Sequence, residues 1–237
     1  MKFYKLINYI LPLLIIIFLS CSITKVPNEY KKVFFNFKSK LKKMESISVN
    51  IKKINSNSSM AKNYDLENAT HIGIISLQKQ AEYFSKNKKE WNQLFAQFKK
   101  VKKSLNGTVW YDDIIFLESQ AYIKISRLTK SERILNDCLS SISSFLNLNN
   151  DTRLEKWTKN NLENLLWNDL SKFFTKKNSE KENLKQYYYI VRASLLKENK
   201  NFEKSLIDYK KAAKISSESI WGVQAKREIT RLKEKMK

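Results

Sequence analysis

The sequence predicts an all-α protein built of antiparallel helix pairs, and three observations predict it. Gly occurs 3 times and Pro 2 times in 237 residues, too few for the tight turns of sandwiches and barrels. Long stretches of Lys, Glu, Leu, Ile and Asn run without a breaker, which favours helix. Apolar residues recur at steps of three and four along most of the chain, the spacing of one helix face. Hydrophobic residues make up 42%, enough for a core and too many for global disorder.

The first element is residues 1–22, MKFYKLINYILPLLIIIFLSCS. Lys2 and Lys5 form a positive start, Leu6 to Leu19 an apolar run broken by Asn8 and Pro12, and Phe18-Leu19-Ser20-Cys21 ends it. This resembles the bacterial lipobox, in which an apolar and a small residue precede an invariant cysteine. The resemblance implies lipid transfer to the Cys21 sulfur, cleavage after Ser20 and acylation of the new amino terminus. It also implies an extracytoplasmic chain held at a membrane of the cell envelope. Ser22 in place of Asp directs the expectation toward an outer membrane where one exists. Two other readings fit the same residues. One is an uncleaved anchor, although the run is short of the ~20 residues a comfortable span needs. The other is an ordinary secretory signal with an incidental cysteine.

Residues 21–68 are expected to carry the anchor, one helix and a linker. Tyr30, Val33, Phe34, Phe37, Leu41 and Met44 have helical spacing, so an amphipathic helix is expected over 27–44. From Ser46 to Asn68 the periodicity fades and NSNSS intervenes, which predicts a loose tether with a strand-like piece over 47–54.

A helical domain is expected over 69–237. Its segments fall at 69–86, 88–105, 109–127, 130–147, 152–176, 181–199, 201–216 and 218–236, with the clearest breaks at Asn106-Gly107 and Asn147–Asp151. Asp151 or Thr152 is placed to cap the fifth segment.

Within that domain the chain repeats itself. Ala193, Leu196, Phe202, Ser205, Tyr209 and Ala212 follow at steps of 3, 6, 3, 4 and 3. Ser119, Tyr122, Leu128, Ser131, Leu135 and Cys138 follow at the same steps, 74 residues earlier. Small positions match small and large match large. Small residues let two helix backbones approach, and the large ones fill the space to the next pair. This pattern resembles the tetratricopeptide repeat, best over 187–217, where NFEKSLIDYKKAAKI is similar to a second helix. Arg192 departs from it at a usually apolar position, and Ser217 stands where a closing proline is common. Trp91, Leu94, Phe98 and Val101 give a partial third copy, while 152–176 does not fit. A generic helical bundle also accounts for steps of three and four. WYDDIIFLESQAY, residues 110–122, is further similar to the repeat openings of tandem-repeat lipoproteins such as the helical subunit of the outer-membrane barrel-assembly machinery. The resemblances imply an α-solenoid whose groove, lined by first helices, holds an envelope protein or peptide. Helix direction nominates Tyr111, Glu118, Lys124, Tyr188, Arg192 and Lys197 as groove contacts.

The net charge is +22, from 45 basic and 23 acidic residues. Only Arg127, Arg133, Arg153, Arg192, Arg227 and Arg231 are arginine, and the lysines are scattered. Point-charge lysines lack the planar fork that reads phosphate or bases, and no basic-aromatic module stands out, so no nucleic-acid partner is expected. Compositional bias explains the charge, and attraction to an anionic lipid or wall polymer is the alternative.

No catalytic constellation is assembled. His71 is the only histidine, which rules out histidine pairs for metal binding or charge relay. Asp112 and Asp113 are adjacent, so they point to different helix faces and are expected to complement the dipole of a helix start. With Cys21 lipidated, Cys138 has no disulfide partner and is expected to be a core residue. No enzyme, cofactor or metal is expected.

Overall fold

The computed structural model describes residues 25–56, 66–148 and 153–237, with the side chains of 48–56 and 66–72 left aside. The signal segment, Cys21 and the Asp151/Thr152 cap lie outside them. The described chain is helical, with no strand among the described residues. Its helices are α1 (Asn28–Ser56), α2 (Leu66–Lys86), α3 (Lys88–Ser104), α4 (Tyr111–Ser126), α5 (Glu132–Leu146), α6 (Lys156–Leu162), α7 (Asn168–Ser171), α8 (Glu180–Glu198), α9 (Phe202–Ile215) and α10 (Ile220–Lys235). A π-helical turn, Glu163–Trp167, joins α6 to α7.

The expected tether is corrected at two points. Residues 46–56, read as linker and strand-like piece, continue α1 as helix. The helix also does not stand apart from a domain beginning at 69. Tyr30, Val33, Phe34, Phe37, Leu41 and Met44 are all buried in the common core. Tyr30 packs on Trp110 with ring centroids 5.2 Å apart, and Phe34 on Trp157 at 4.8 Å. Burying six large side chains, at roughly 1.5–3 kcal/mol each, ties α1 into that core.

α3 packs on α4 and α4 on α5; α5 then meets α8 across the 153–179 segment, and α8, α9 and α10 pack in succession, so that α4 with α5, α8 with α9 and α9 with α10 make the largest contacts. Ser119 and Ala193, matched in the sequence, lie where these helices touch, while Ser131, matched to Ser205, caps a helix instead. At the α4–α5 contact, the buried Ser119 hydroxyl donates to the Ile115 carbonyl at 2.8 Å and meets the Ser141 hydroxyl at 3.0 Å. At the α8–α9 contact, the buried Ser205 hydroxyl donates to the Ala193 carbonyl at 2.8 Å. Cys138, Ala193, Tyr209 and Ala212 are buried, as is Leu196. Tyr122, Leu128, Leu135 and Phe202 pack on the core from its margin. Ser131 caps α5, its hydroxyl accepting from the Ile134 N–H.

Segment 152–176 is neither one long helix nor a regular pair. The π turn inserts an extra residue between α6 and α7, a re-phasing that strained helices use. Leu162 before it and Leu170 after it are both buried, and Trp167 reaches the rings of Phe116 and Phe174. The chain then turns through 172–179 into α8, whose start is closed by a capping box of Ser179 and Glu182.

Candidate functional site

A groove of about 900 Å³ lies between α3 and α5, with α4 as its floor. α3 places it because Trp91, Leu94, Phe98 and Val101 are buried on one face, which turns Lys88, Asn92, Lys99 and Lys103 outward. The floor is aromatic: Phe95 stacks on Tyr122 with centroids 4.1 Å apart and planes 6° from parallel. The far wall is α5, which contributes Arg133, Asp137 and serines including Ser140 and Ser144.

The electrostatics are uneven across this groove. Lys102 is engaged by Glu118 in an ion pair, and the Ser141 hydroxyl also donates to Glu118, at 3.5 Å. Lys88, Lys99, Lys103 and Arg133 make no ion pair among the described residues. The α3 wall is therefore cationic, the Phe95–Tyr122 stack gives an apolar patch beside the Glu118 pair, and the α5 wall carries hydroxyls together with Arg133 and Asp137. Burial, the largest effect, raises the Tyr122 phenol, so Tyr122 stays neutral and serves as a stacking surface.

Only two of the six nominated contacts line this groove. Tyr111 does so half-buried, and Glu118 does so from a nearly closed position in its pair with Lys102. Lys124 lies on another face of α4, close enough to Glu45 for their charges to interact. Tyr188 is fully buried, its hydroxyl accepting from Gln120 at 3.1 Å, and offers nothing to a partner. Arg192 is held by Asp208 and Ser143, and Lys197 pairs with Glu228 at 2.8 Å. Tyr188, Arg192 and Lys197 lie outside the groove because α8 is enclosed by α5, α9 and α10, and Lys124 because it stands on the face of α4 toward Glu45. The α3 wall was missed, although its i, i+4, i+7, i+11 spacing of Lys88, Asn92, Phe95 and Lys99 stood in the sequence.

Asp113 stands in the first turn of α4 as expected, and has a longer-range role as well. It is fully buried and accepts from the Glu155 N–H at 3.2 and 3.3 Å. Thr158 hydrogen-bonds both it and Tyr30, the latter at 2.6 Å. Burial pushes the carboxyl up to about 7 despite these bonds. Cys138 is buried, accepts from the Ser126 hydroxyl at 3.7 Å, and is pushed up to about 11 by burial, so its thiol stays protonated. Among the described residues no group of His, Cys, Asp and Glu is placed to hold a metal ion. No helix among them is long and apolar enough to cross a membrane.

Compared with protein-family models, curated proteins and solved structures, the chain matches none. Its functional reading rests on its own residues.

Proposed function

We propose that this chain is a lipid-anchored scaffold of a bacterial cell envelope that binds a protein or peptide partner on tetratricopeptide-like helix pairs. The observation that carries the reading is the groove of about 900 Å³ formed across three successive helices, with the Phe95–Tyr122 stack at its floor. Concave, partly apolar sites with a few placed polar groups are where partners dock. The solenoid reading draws support from the two antiparallel pairs and from Ser119 and Ala193, 74 apart in sequence, each at a contact between the helices of its pair. The anchor rests on the apolar run ending at Cys21. Several acyl chains there hold a protein firmly, since each buried methylene adds ~0.8 kcal/mol. The outer membrane is the favoured destination where the envelope has one. The reading assigns the chain no catalysis, cofactor or metal.

Two measurements in living cells test it. A labelled fatty acid should load the chain and be lost in Cys21→Ala, which should also leave the membrane fraction. A photocrosslinker at Asn92, exposed in the groove, should capture a defined envelope protein that a crosslinker at Lys226 does not. Lipid retained by Cys21→Ala, or identical captures from both positions, would count against the proposal.

A second reading is favoured by the four groove cations that lack an ion pair among the described residues. Here the lysines attract an anionic lipid or wall polymer. Such binding should fall steeply between low and moderate ionic strength, and Asn92 should then capture no protein.

A further inference from the structure

Resting on the peptide-binding reading above, we infer that the groove takes a linear acidic segment of another protein. Its carboxylates lie along α3 and an apolar side chain sits on the Phe95–Tyr122 stack. The cationic wall runs from Lys88 to Lys103, fifteen residues of helix or about 22 Å. An extended peptide covers that distance in about seven residues at ~3.3 Å each. The wall's unpaired cations are held in a row by the burial of Trp91, Leu94, Phe98 and Val101 behind them, so their mutual repulsion is relieved when an anion arrives.

The other two sides of the groove select a peptide from among anions. Asp137, Ser140 and Ser144 on α5 supply acceptors for backbone N–H groups, which a phosphate polymer lacks. Asp137 would also repel a chain charged at every unit, whereas a peptide can set an uncharged residue against it. A second copy is a poor occupant, because the chain carries +22. The segments of this chain outside the described residues, 1–24, 57–65 and 149–152, contain only Asp65 and Asp151 as acids. The occupant is therefore external.

The test is a titration of the full chain in detergent with a labelled twelve-residue peptide of Glu, Ser and Leu, read by fluorescence anisotropy. Its companions are the same peptide with Gln for Glu, and inorganic polyphosphate. The protein variants are Lys99→Gln/Lys103→Gln in the groove and Lys210→Gln/Lys226→Gln on exposed positions outside it. The Glu peptide should bind the groove double variant about tenfold more weakly than the parent, the effect of losing two rim charge contacts. The outer double variant should stay within about twofold, and the Gln peptide should bind at least about tenfold more weakly than the Glu peptide. Equal binding of the Glu and Gln peptides overturns the acidic preference and leaves the peptide groove standing. Equal loss in both double variants overturns the site itself in favour of diffuse attraction. Polyphosphate binding through Lys99 and Lys103, with neither peptide held, overturns both this inference and the reading beneath it.

Discussion

Arg192 grips Asp208 through two parallel hydrogen bonds, Nε to Oδ2 at 2.7 Å and Nη2 to Oδ1 at 2.8 Å, and its third nitrogen donates to Ser143 at 2.8 Å. One side chain thus ties α8 to α9 and to α5, the helix of the preceding pair. Asp208 is 3% exposed, so it cannot turn to water if its partner goes. Arg192→Leu should cost about 3 kcal/mol, because an uncompensated carboxylate remains buried. Arg192→Leu/Asp208→Leu should recover most of that loss. Urea denaturation of the two variants and the parent checks this. A double variant as unstable as the single one would show that packing, not the orphaned charge, dominates.

Gly222 lies where α10 crosses the 216–219 turn. A Cβ added there would fall 1.8 Å from the Ser216 carbonyl oxygen, which is backbone and cannot swing aside. That carbonyl is also occupied, accepting from Gln186 at 2.8 Å and from Ser219 at 3.0 Å. Gly222→Ala should therefore lever α10 away from α8 at a cost of about 2–3 kcal/mol. Thermal unfolding should move down by roughly 4–10 °C for a chain of this size. An unchanged midpoint would mean that the turn gives way freely.

The all-helical fold was legible in the sequence, from the scarcity of Gly and Pro and the apolar steps of three and four. Ser119, Ala193, Ser205 and Ala212 mark close backbone approaches, and all four are buried. Outside α1 and the 152–176 segment, helix limits were legible within a few residues, because caps such as Ser131 and Ser179 act through neighbours three positions away. What was not legible depends on distant partners. The burial of Tyr188 is set by Phe145, with centroids 4.4 Å apart and 43 residues distant in sequence. The role of Asp113 is set by the Glu155 N–H and Thr158, beyond any local pattern. The cationic groove wall was hidden by abundance, since its lysines are ordinary members of a set of scattered charges until the fold lines them up.

Lys200 is the only non-glycine residue with positive φ among the described residues, at 61°. It ends α8 in a Schellman turn: the Asn201 N–H donates to the Leu196 carbonyl at 2.8 Å and the Lys200 N–H to the Lys197 carbonyl at 3.0 Å. This is the position glycine occupies in most helix ends of the kind, because a Cβ is strained there. Lys200→Gly should stabilise the chain by about 0.5–1 kcal/mol, strain relief outweighing the added entropy of the unfolded state. Lys200→Ala should do little. Chemical denaturation of both variants distinguishes local strain from the loss of a lysine charge, which both share.

Asp113 gives the fold a pH dependence of definite sign. Burial lifts its carboxyl from 3.8 to about 7 in the folded chain, outweighing the bonds from Thr158 and Glu155, with the charges of Glu155 and Asp112 adding to the rise. The folded state therefore favours the protonated acid. That contribution to stability is complete below about pH 4, declines as pH rises through about 7, and is flat above it. Its full span is on the order of 4 kcal/mol, an upper limit for one group shifted this far. Asp113→Asn keeps an oxygen to accept the Glu155 N–H but carries no charge at any pH. Urea midpoints measured from pH 5 to pH 8 should fall for the parent and hold nearly level for Asp113→Asn. Because Asp113 and Tyr30 share Thr158, the parent should also lose protection from hydrogen exchange in α1 and α6 before α8 and α9 as pH rises. Parallel slopes in parent and variant would assign the pH dependence to another group and leave Asp113 a neutral structural acid throughout.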